Sequence, residues 1–353
     1  MTRDDFFRAM SFFKTLIRNE FILKISVVVP AYNAALYLSN CLNGLITQDF
    51  DDYEIIVVND GSVDNTADII SGFDDGRIRV LHQENRGAYH ARRNGILAAK
   101  GDYITFCDAD DIPRVNWLST IYEAAEETGA DIIVSGYDRI DGETRRLIAR
   151  EMCLSGVVET AENKLPLLFI NTGLCNKLFA AHLLLDVYYP ENPPRISEDA
   201  IFLASVYPRV NRVAFVKESL YDYIVRKGSL MMSAVGIKDI ETIQEAFCGL
   251  RSYYPESMMD FFSIFTFLNV SVVLPLLYRG KSGVVVSNMY HFLEREAPDW
   301  KRVLTIKDVF RRPFRRKRIK IYIAVLCYRF HIFLPLVAVW RFVTHKMGIS
   351  LKW

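Results

Sequence analysis

The sequence predicts an α/β protein with a mostly parallel, three-layer sheet and a mainly helical C-terminal extension. Four short runs of β-branched and apolar residues alternate with three helix-like segments before residue 111, which is typical of a parallel sheet with right-handed crossovers. Helix-forming, apolar sequence takes over from about residue 231. The 353-residue chain is 51% hydrophobic and 24% charged, which is the composition of a folded protein with a sizeable core.

Each predicted strand ends in polar residues. The first predicted strand, 24–30, leads into a helix predicted from residue 31 to about residue 46. The next two strands, 54–59 and 77–83, are each followed by a turn and a helix, and the fourth begins at Asp102. Because the carboxyl ends of parallel strands lie along one edge of a sheet, we expect the residues after these strands to gather into a ligand site.

Three carboxylates end the fourth strand: Asp108, Asp110 and Asp111. Acids this close repel one another, and a divalent cation, Mg²⁺ or Mn²⁺, bound together with substrate phosphates would relieve that repulsion. These residues are therefore predicted to hold a metal ion. The alternative is that Asp110 and Asp111 only cap a helix after Pro113.

Residues after the other three strands suit a nucleotide. Asp60 can accept hydrogen bonds from a base or a ribose, and Tyr32 can lie against a ring. Arg86 and Arg92 offer donors for phosphate. The alternatives are an ordinary Asp-Gly turn at Asp60 and a solvated helix position for Arg92. The sequence has neither G-x-G-x-x-G after the first strand nor the P-loop motif. It therefore does not carry the usual signatures of dinucleotide-dependent redox enzymes or of P-loop proteins.

Four motifs follow the predicted strands: Val-Val-Pro-Ala-Tyr-Asn at 28–33, Val-Asn-Asp-Gly-Ser-Val-Asp at 58–64, Asn-Arg-Gly at 85–87 with Ala91-Arg92, and Phe-Cys-Asp-Ala-Asp-Asp at 106–111. In order and spacing they resemble the motifs of the inverting glycosyltransferases of family 2, whose Rossmann-like GT-A fold binds a nucleotide sugar. The resemblance covers about residues 24–230 and departs in one place, where Arg92 is followed by Arg93-Asn94-Gly95 rather than directly by Asn. It implies that Asp60 contacts the uracil or the ribose, and that Asp108 and Asp110 hold the metal on the diphosphate.

The residues that this resemblance assigns to donor binding form a larger set, drawn from the ends of all four strands and from one later segment. Arg226, in the later segment, is a candidate diphosphate clamp in a stretch that closes over the donor and excludes water. The set is Pro30, Tyr32, Asn33, Asp60, Arg86, Gly87, Arg92, Asp108, Ala109 and Arg226.

Two later motifs, 176–179 and 197–202, resemble the acceptor half of the same family. By that resemblance Asp199 is the general base that takes the proton of the acceptor hydroxyl, and Glu198 is the competing choice. Ser197 followed by two acids would also suit any helix start, and helix capping is compatible with catalysis.

The residue patterns near the two ends of the chain suggest that the protein binds a membrane surface. Apolar and basic residues alternate at helical spacing before residue 24, which predicts an amphipathic helix that either packs on the domain or lies on a membrane. Residues 311–320 hold seven cations, and the apolar run that follows is interrupted by charges, so we expect 311–343 to sit at an anionic membrane surface. A packed basic hairpin is the alternative, and no recognition fold supports a nucleic-acid partner. The uncharged run 261–278 reaches the length of a membrane span, although Asn269 and Pro275 weaken that interpretation.

We expect three segments: an N-terminal helix at 1–23, a glycosyltransferase domain at 24–230 with a nucleotide-binding half (24–115) and an acceptor half (116–230), and a basic helical region at 231–353, which is expected to associate with a membrane. The six cysteines show no C-x-x-C pair, and no secretory signal is recognisable, so we expect a cytoplasmic enzyme held peripherally at the inner face of the cell membrane.

The predicted function is metal-dependent, inverting transfer of a sugar from a UDP-hexose or UDP-N-acetylhexosamine to a lipid-linked or growing saccharide. A non-catalytic nucleotide-sugar-binding partner subunit and a nucleotidyltransferase are the alternatives. The resemblance to family 2 does not name the sugar, the acceptor or the linkage, and a base other than uracil stays open.

Overall fold

A computed structural model describes residues 23–226, 235–274, 278, 282–301 and 315–330. Residues 1–22 of the predicted N-terminal helix lie outside this part of the chain, as do 311–314 and 331–343 of the predicted membrane-facing stretch.

The first half of the sheet is a parallel βαβ series, as the alternation of apolar runs and helical segments predicts. β1 lies between β2 and β4, and β3 pairs with the outer side of β2. β1 and β2 are buried along almost their whole length because helices cover both faces of the sheet. The elements are β1 (Ile25–Ala31), α1 (Leu38–Ile46), β2 (Tyr53–Asp60), α2 (Thr66–Ser71), β3 (Ile78–Gln83), α3 (Ala88–Ala98) and β4 (Tyr103–Phe106).

The second half continues the same sheet. β9 lies antiparallel between β4 and β6, so one short strand joins the two halves of the domain. β10 runs parallel to β6 and carries the small β5 and β8 on antiparallel pairings, while β7 forms a hairpin with β6. The elements are β5 (Ile112–Pro113), α4 (Trp117–Thr128), β6 (Ile132–Asp141), β7 (Leu147–Glu151), β8 (Gly156–Glu159), β9 (Lys177–Ala180), α5 (Glu198–Val206) and β10 (Arg212–Val225).

The helix predicted from residue 31 begins only at Leu38. Asn33 has a left-handed backbone with φ 48°, which a helix does not allow. The backbone N–H of Ala34 donates to Thr66 Oγ1 at 2.8 Å, and that of Ala35 donates to Asp64 Oδ2 at 3.1 Å. The loop after β1 is therefore fastened to the loop after β2 instead of continuing into α1.

Close packing of α3 on β1 fixes the helix that carries Arg92. A Cβ atom on Gly95 would lie 2.3 Å from Val28 Cγ1, so only glycine allows the helix to approach the strand this closely. Arg92 lies about one turn before Gly95 on α3, so the same approach determines where its side chain enters the protein.

The C-terminal part that the structure describes is helical: α6 (Ile237–Arg251), α7 (Met259–Thr266), a π-helical turn (Phe267–Val273), α8 (Ser282–Glu296) and α9 (Arg315–Arg329). Residues 261–274 of the uncharged run pack inside this region, where the Phe267 ring stacks on Trp300 with ring centroids 4.8 Å apart. Phe262, Ile264 and Val270 are fully buried. Within the described residues, none of the helices has the length and apolar character needed to span a bilayer.

Candidate active site

The carboxyl ends of β1, β2 and β4 and the start of α5 supply Tyr32 and the acids of the site. Its arginines come from the loop after β3, from α3 and from the end of β10. At the end of β1, Tyr32 is 49% exposed and is open to a ligand ring. Asn33 holds the loop after β2: its side-chain oxygen accepts a hydrogen bond from the backbone N–H of Val63 at 2.9 Å, and its own backbone N–H donates to Ser62 Oγ. Pro30 is the penultimate residue of β1 and lies opposite Val58 of β2. Tyr32 and Asn33 are both exposed at this strand end, and Tyr32 is the one that offers a ring.

Asp60 organises the loop that follows β3. Its carboxylate accepts the backbone N–H of Arg86 at 2.9 Å and of Gly87 at 2.8 Å, and the Gln83 side chain donates to it at 2.7 Å. The residue is almost completely buried. Gly87 adopts φ 86°, which favours glycine at the point where the loop turns into α3. Asp60 therefore holds the Asn-Arg-Gly loop, and Arg86 on that loop is exposed.

The three acids after β4 have different surroundings. The side chains of Asp108 and Asp110 are 31% and 43% exposed, whereas Asp111 is buried and accepts the backbone N–H of Ile224 at 2.8 Å. Burial, followed by the charges of Asp108 and Asp110, raises the pKa of Asp111 well above its usual range. Burial and Asp108 also raise the pKa of Asp110, against the opposing charge of Arg226. Ala109, between the two exposed acids, is buried.

These carboxylates fit a hard divalent cation, because such ions prefer oxygen ligands and because the charge of Asp108 lies close enough to raise the pKa of both Asp110 and Asp111. Within the described part of the chain, ligand atoms of Asp108, Asp111 and Cys175 come within 4.8 Å of one another. Burial raises the pKa of the Cys175 thiol well above normal, so Cys175 is neutral and lines the acids. The sequence offered no signal for Cys175, since it lies far from the acids along the chain.

Arg226 contacts the second of the exposed acids. Its Nη1 lies 2.5 Å from Asp110 Oδ2, its Nη2 donates to the Asp110 backbone carbonyl, and its guanidinium lies over the Tyr37 ring at 4.0 Å. The residue predicted to clamp a diphosphate is thus brought to the predicted metal-binding acids, in a conformation where it pairs with one of them.

Arg92 is buried at the centre of the acids. Its Nη2 donates to Asp108 Oδ1 at 3.0 Å, while its Nη1 lies 3.1 Å from Asp199 Oδ1 and 3.5 Å from Glu198 Oε1. Burial alone would lower the pKa of Arg92, but Asp199, Asp108 and Glu198 outweigh it and raise the pKa above its ordinary value. The predicted phosphate donor is therefore a charged guanidinium that links the acids after β4 to those of α5.

The two acids that open α5 have elevated pKa values. Burial, with the neighbouring Asp199 charge, raises the pKa of Glu198 to about 7, and Arg92 only partly opposes this. Burial also raises the pKa of Asp199, which the Arg92 charge opposes most strongly. Ser197 occupies the N-cap position with a left-handed backbone, φ 64°, and its side chain makes no capping hydrogen bond. Acids in the first turn of a helix are favoured by the helix dipole, yet here burial dominates.

Besides Cys175, two further site residues, Tyr221 and Lys177, were not predicted from the sequence. The Tyr221 hydroxyl accepts the backbone N–H of Asp108 at 3.0 Å, so β10 holds the turn of the acids in place. Lys177 is buried in β9, where its Nζ donates to Asn171 Oδ1 at 3.0 Å and to Asn176 Oδ1 at 2.9 Å. Its charge also lowers the pKa of Asp199, after the larger effects of burial, Arg92 and Asp108. The Asn-Lys pair was visible as a motif, but its role was not.

Carboxylates and arginines gather at the carboxyl ends of the parallel strands. This arrangement is typical of α/β enzymes that bind their ligand at that edge of the sheet. The glycosyl transferase family 2 model matches residues 26–178. Glycosyltransferase GlyG of Streptococcus pneumoniae serotype 4 is 34% identical over 236 residues, which cover 63% of this chain and 78% of GlyG. The chain therefore belongs to glycosyltransferase family 2 and is a glycosyltransferase, as its motifs predicted.

Two further proteins are similar. EpsJ, a glycosyltransferase of Bacillus subtilis, is 32% identical over 219 residues, covering 58% of this chain and 62% of EpsJ. The crystal structure of residues 1–349 of S. aureus TarS in complex with UDP-GlcNAc superimposes with a TM-score of 0.68 at 21% identity, covering 94% of this chain and 93% of that one. At this identity the likeness shows a shared fold, and the predicted GT-A fold class is confirmed.

Proposed function

We propose that this glycosyltransferase moves a sugar, with inversion, from a UDP-hexose or UDP-N-acetylhexosamine to a saccharide or lipid-linked saccharide, using Mg²⁺ or Mn²⁺. The observation that carries the proposal is the approach of two acidic pairs, Asp108 with Asp110 and Glu198 with Asp199, which the buried guanidinium of Arg92 links through its contacts with Asp108, Glu198 and Asp199. One pair suits a metal on a diphosphate, and the other suits a base for an acceptor hydroxyl.

The donor is proposed to lie along the ends of β1, β2 and β4. TarS, which shares the fold, has been crystallised with UDP and with UDP-GlcNAc, and this supports a uridine nucleotide. Tyr32 offers an exposed ring for the base. Asp60 acts by holding the loop through the backbone N–H groups of Arg86 and Gly87, which leaves the exposed Arg86 side chain to reach the donor.

Asp108 and Asp110 are proposed to hold the metal ion, with buried Asp111 fixing the turn between β4 and β5. When bound, the ion would neutralise charge on the diphosphate as UDP departs. Arg226 would then leave Asp110 and pair with the same diphosphate, because a guanidinium binds phosphate oxygens as well as carboxylate oxygens.

Asp199 is proposed as the general base, with Glu198 as the competing candidate. The acceptor oxygen attacks the anomeric carbon from the face opposite UDP, and the bond from that carbon to the phosphate oxygen breaks with its electron pair going to UDP. The hydroxyl proton passes to the carboxylate. The raised pKa of Asp199 favours this role, because it makes the carboxylate a stronger base than an ordinary aspartate.

The acceptor class is inferred from relatives and from the tail. Among the relatives are a poly(ribitol-phosphate) beta-glucosyltransferase of Bacillus spizizenii, of which the match covers 34%, and the succinoglycan biosynthesis protein ExoO of Rhizobium meliloti. Both names concern polymers of repeating units. The seven cations at 311–320 support attachment to an anionic leaflet on the cytoplasmic side, where a lipid-linked acceptor would be presented.

Ligand-induced thermal stabilisation with Mn²⁺ across nucleoside diphosphates and their sugars tests the donor, because selective binding raises the melting temperature by mass action. We expect UDP and one UDP-sugar to raise the melting temperature only when Mn²⁺ is present. We also expect the enzyme to release UDP from that UDP-sugar. Release of pyrophosphate instead would identify a nucleotidyltransferase. Binding of UDP without any turnover, unchanged by Asp199→Asn, would favour the non-catalytic subunit.

A further inference from the structure

Arg92 stands apart from the other predicted donor-binding residues because its contacts are with carboxylates from two separate parts of the chain. Asp108 follows β4 in the nucleotide-binding half, and Glu198 and Asp199 open α5 in the acceptor half. Along the sequence, Arg92 is 16 residues from Asp108 and 106 residues from Glu198. Within the described site, one side chain thus contacts both groups of acids.

The guanidinium geometry explains how one side chain reaches three acids. Nη2 faces Asp108 at 3.0 Å, and Nη1 faces Asp199 at 3.1 Å and Glu198 at 3.5 Å. A guanidinium presents its donors in a rigid planar fork, so fixing one end also fixes the direction of the other. The Arg92 side chain is only 7% exposed, and the Gly95 contact with Val28 holds its helix against the sheet.

We propose that Arg92 is a positioning residue that holds the general-base carboxylates of α5 in register with the metal-binding Asp108, rather than a ligand of the donor phosphates. This inference rests on the proposed function, because it takes Asp108 as the donor-side acid and Glu198 or Asp199 as the base. In this proposal Asp108 places the donor, and Glu198 or Asp199 places the acceptor hydroxyl. Because Arg92 contacts all three acids, it aligns the acceptor hydroxyl with the anomeric carbon of the donor.

Charge balance supports this assignment. Three carboxylates around one guanidinium leave an excess of negative charge, which a divalent cation on Asp108 would offset. Removing Arg92 would leave the acids of α5 without their buried counter-charge and free to move apart. A residue that only bound phosphate would instead need an open face toward the donor, and the exposed Arg86 is better suited to that task.

The test separates binding of the donor from the rate of the bound complex. Arg92→Lys keeps the charge but replaces the fork by one ammonium, which cannot hold both groups of acids in the same geometry. We expect the Kd of UDP with Mn²⁺, measured by calorimetry, to stay within about threefold of the wild-type value. We expect kcat for release of UDP from the preferred UDP-sugar to fall by about 100-fold, the cost of a small misalignment.

Arg93→Lys is the matched control, because Arg93 is the next residue on the same helix and its guanidinium lies over the Tyr189 ring at 4.6 Å. We expect this control to keep both Kd and kcat. Should Arg92→Lys fail to fold, the double variant Arg92→Gln with Glu198→Gln removes one positive and one negative charge together and keeps the buried net charge. In that variant the Kd of UDP with Mn²⁺ is the deciding measurement, because Glu198 is itself a candidate base, and UDP affinity is expected to survive.

Two results would overturn the inference. A Kd for UDP with Mn²⁺ that rises by about tenfold or more in either Arg92 variant would make Arg92 a phosphate ligand. A kcat near the wild-type value in Arg92→Lys would show that the fork is not needed for alignment. A wild-type enzyme that binds UDP but never turns over a UDP-sugar would instead contradict the proposed function, and the binding measurement would still decide whether Arg92 holds phosphate.

Discussion

At the scale of single residues, the site depends on acids that burial and mutual repulsion make costly to ionise. Asp110 is the most accessible of the acids after β4, and in the structure its charge is met by Arg226. We expect Asp110→Ala to abolish metal-dependent binding of UDP, because the cation would lose one of its two exposed carboxylates. Calorimetry with UDP, with and without Mn²⁺, measures this.

Asp74→Ala is a suitable control for that measurement, since Asp74 is an exposed acid in the loop before β3. It should bind UDP as the wild type does. Full metal-dependent affinity in the Asp110 variant would remove Asp110 from the metal site and leave Asp108 and Asp111 as the candidate ligands.

Glu198 gives a prediction for pH. Its pKa is about 7 in the folded protein, above the ordinary glutamate value of 4.5, so the folded state holds this proton more tightly than the unfolded chain does. The free energy of unfolding should therefore fall as pH rises from about 4.5 to about 7, and level off above that. Between pH 5 and pH 8 the Glu198 contribution is on the order of 2 kcal/mol.

Urea unfolding of the wild type and of Glu198→Gln at both pH values measures that contribution, because the variant lacks the titrating group. The glutamine variant should lose less stability between pH 5 and pH 8 than the wild type loses. An identical loss in both proteins would mean that the Glu198 carboxylate titrates normally.

At the scale of elements, the α3–β1 contact links packing to chemistry. Gly95→Ala would bring a methyl group against Val28 at a separation that real side chains do not adopt. We expect this overpacking to cost about 1–3 kcal/mol of unfolding free energy. We also expect a lower kcat, because α3 would have to move away from the sheet and take Arg92 with it. Thermal unfolding and UDP-release kinetics measure the two effects.

Val28→Ala together with Gly95→Ala removes the two Cγ atoms that the new methyl group meets, so this pair should recover part of both losses. Gly76→Ala is the control, since a Cβ atom there meets nothing within 4 Å. Lost stability with unchanged kcat in Gly95→Ala would separate the packing of α3 from the alignment of the acids.

The strands of the first half were predictable because each is a compact β-branched run that ends in a turn residue. The start of α1 was not, because the loop after β1 is held by hydrogen bonds to Asp64 and Thr66, which belong to a different loop. The same limit applies to the site. The acids of Asp108 and Asp199 stood out as motifs, whereas the contacts of Arg92, Tyr221 and Cys175 depend on how distant segments meet.

At the scale of the whole molecule, charge is divided unevenly along the chain. Residues 301–353 contain fourteen Lys or Arg and one acid, although the whole protein carries a net charge of only +1. The acids that compensate are therefore concentrated before residue 301, where the catalytic domain lies. Such an arrangement favours an enzyme attached by one end to an anionic surface while its acidic part stays away from it.

Replacing the seven cations at 311–320 by Gln tests this attachment. Each cation near an anionic leaflet contributes about 1 kcal/mol, so the variant should no longer sediment with vesicles that contain phosphatidylglycerol, while the wild type sediments at low salt and less so at high salt. Replacing the exposed Arg145, Arg146 and Lys217 of the sheet domain is the control and should leave sedimentation unchanged. Unchanged sedimentation of the tail variant would move the attachment to the N-terminal segment before residue 24, because most of residues 261–274 in the uncharged run are buried against the protein itself.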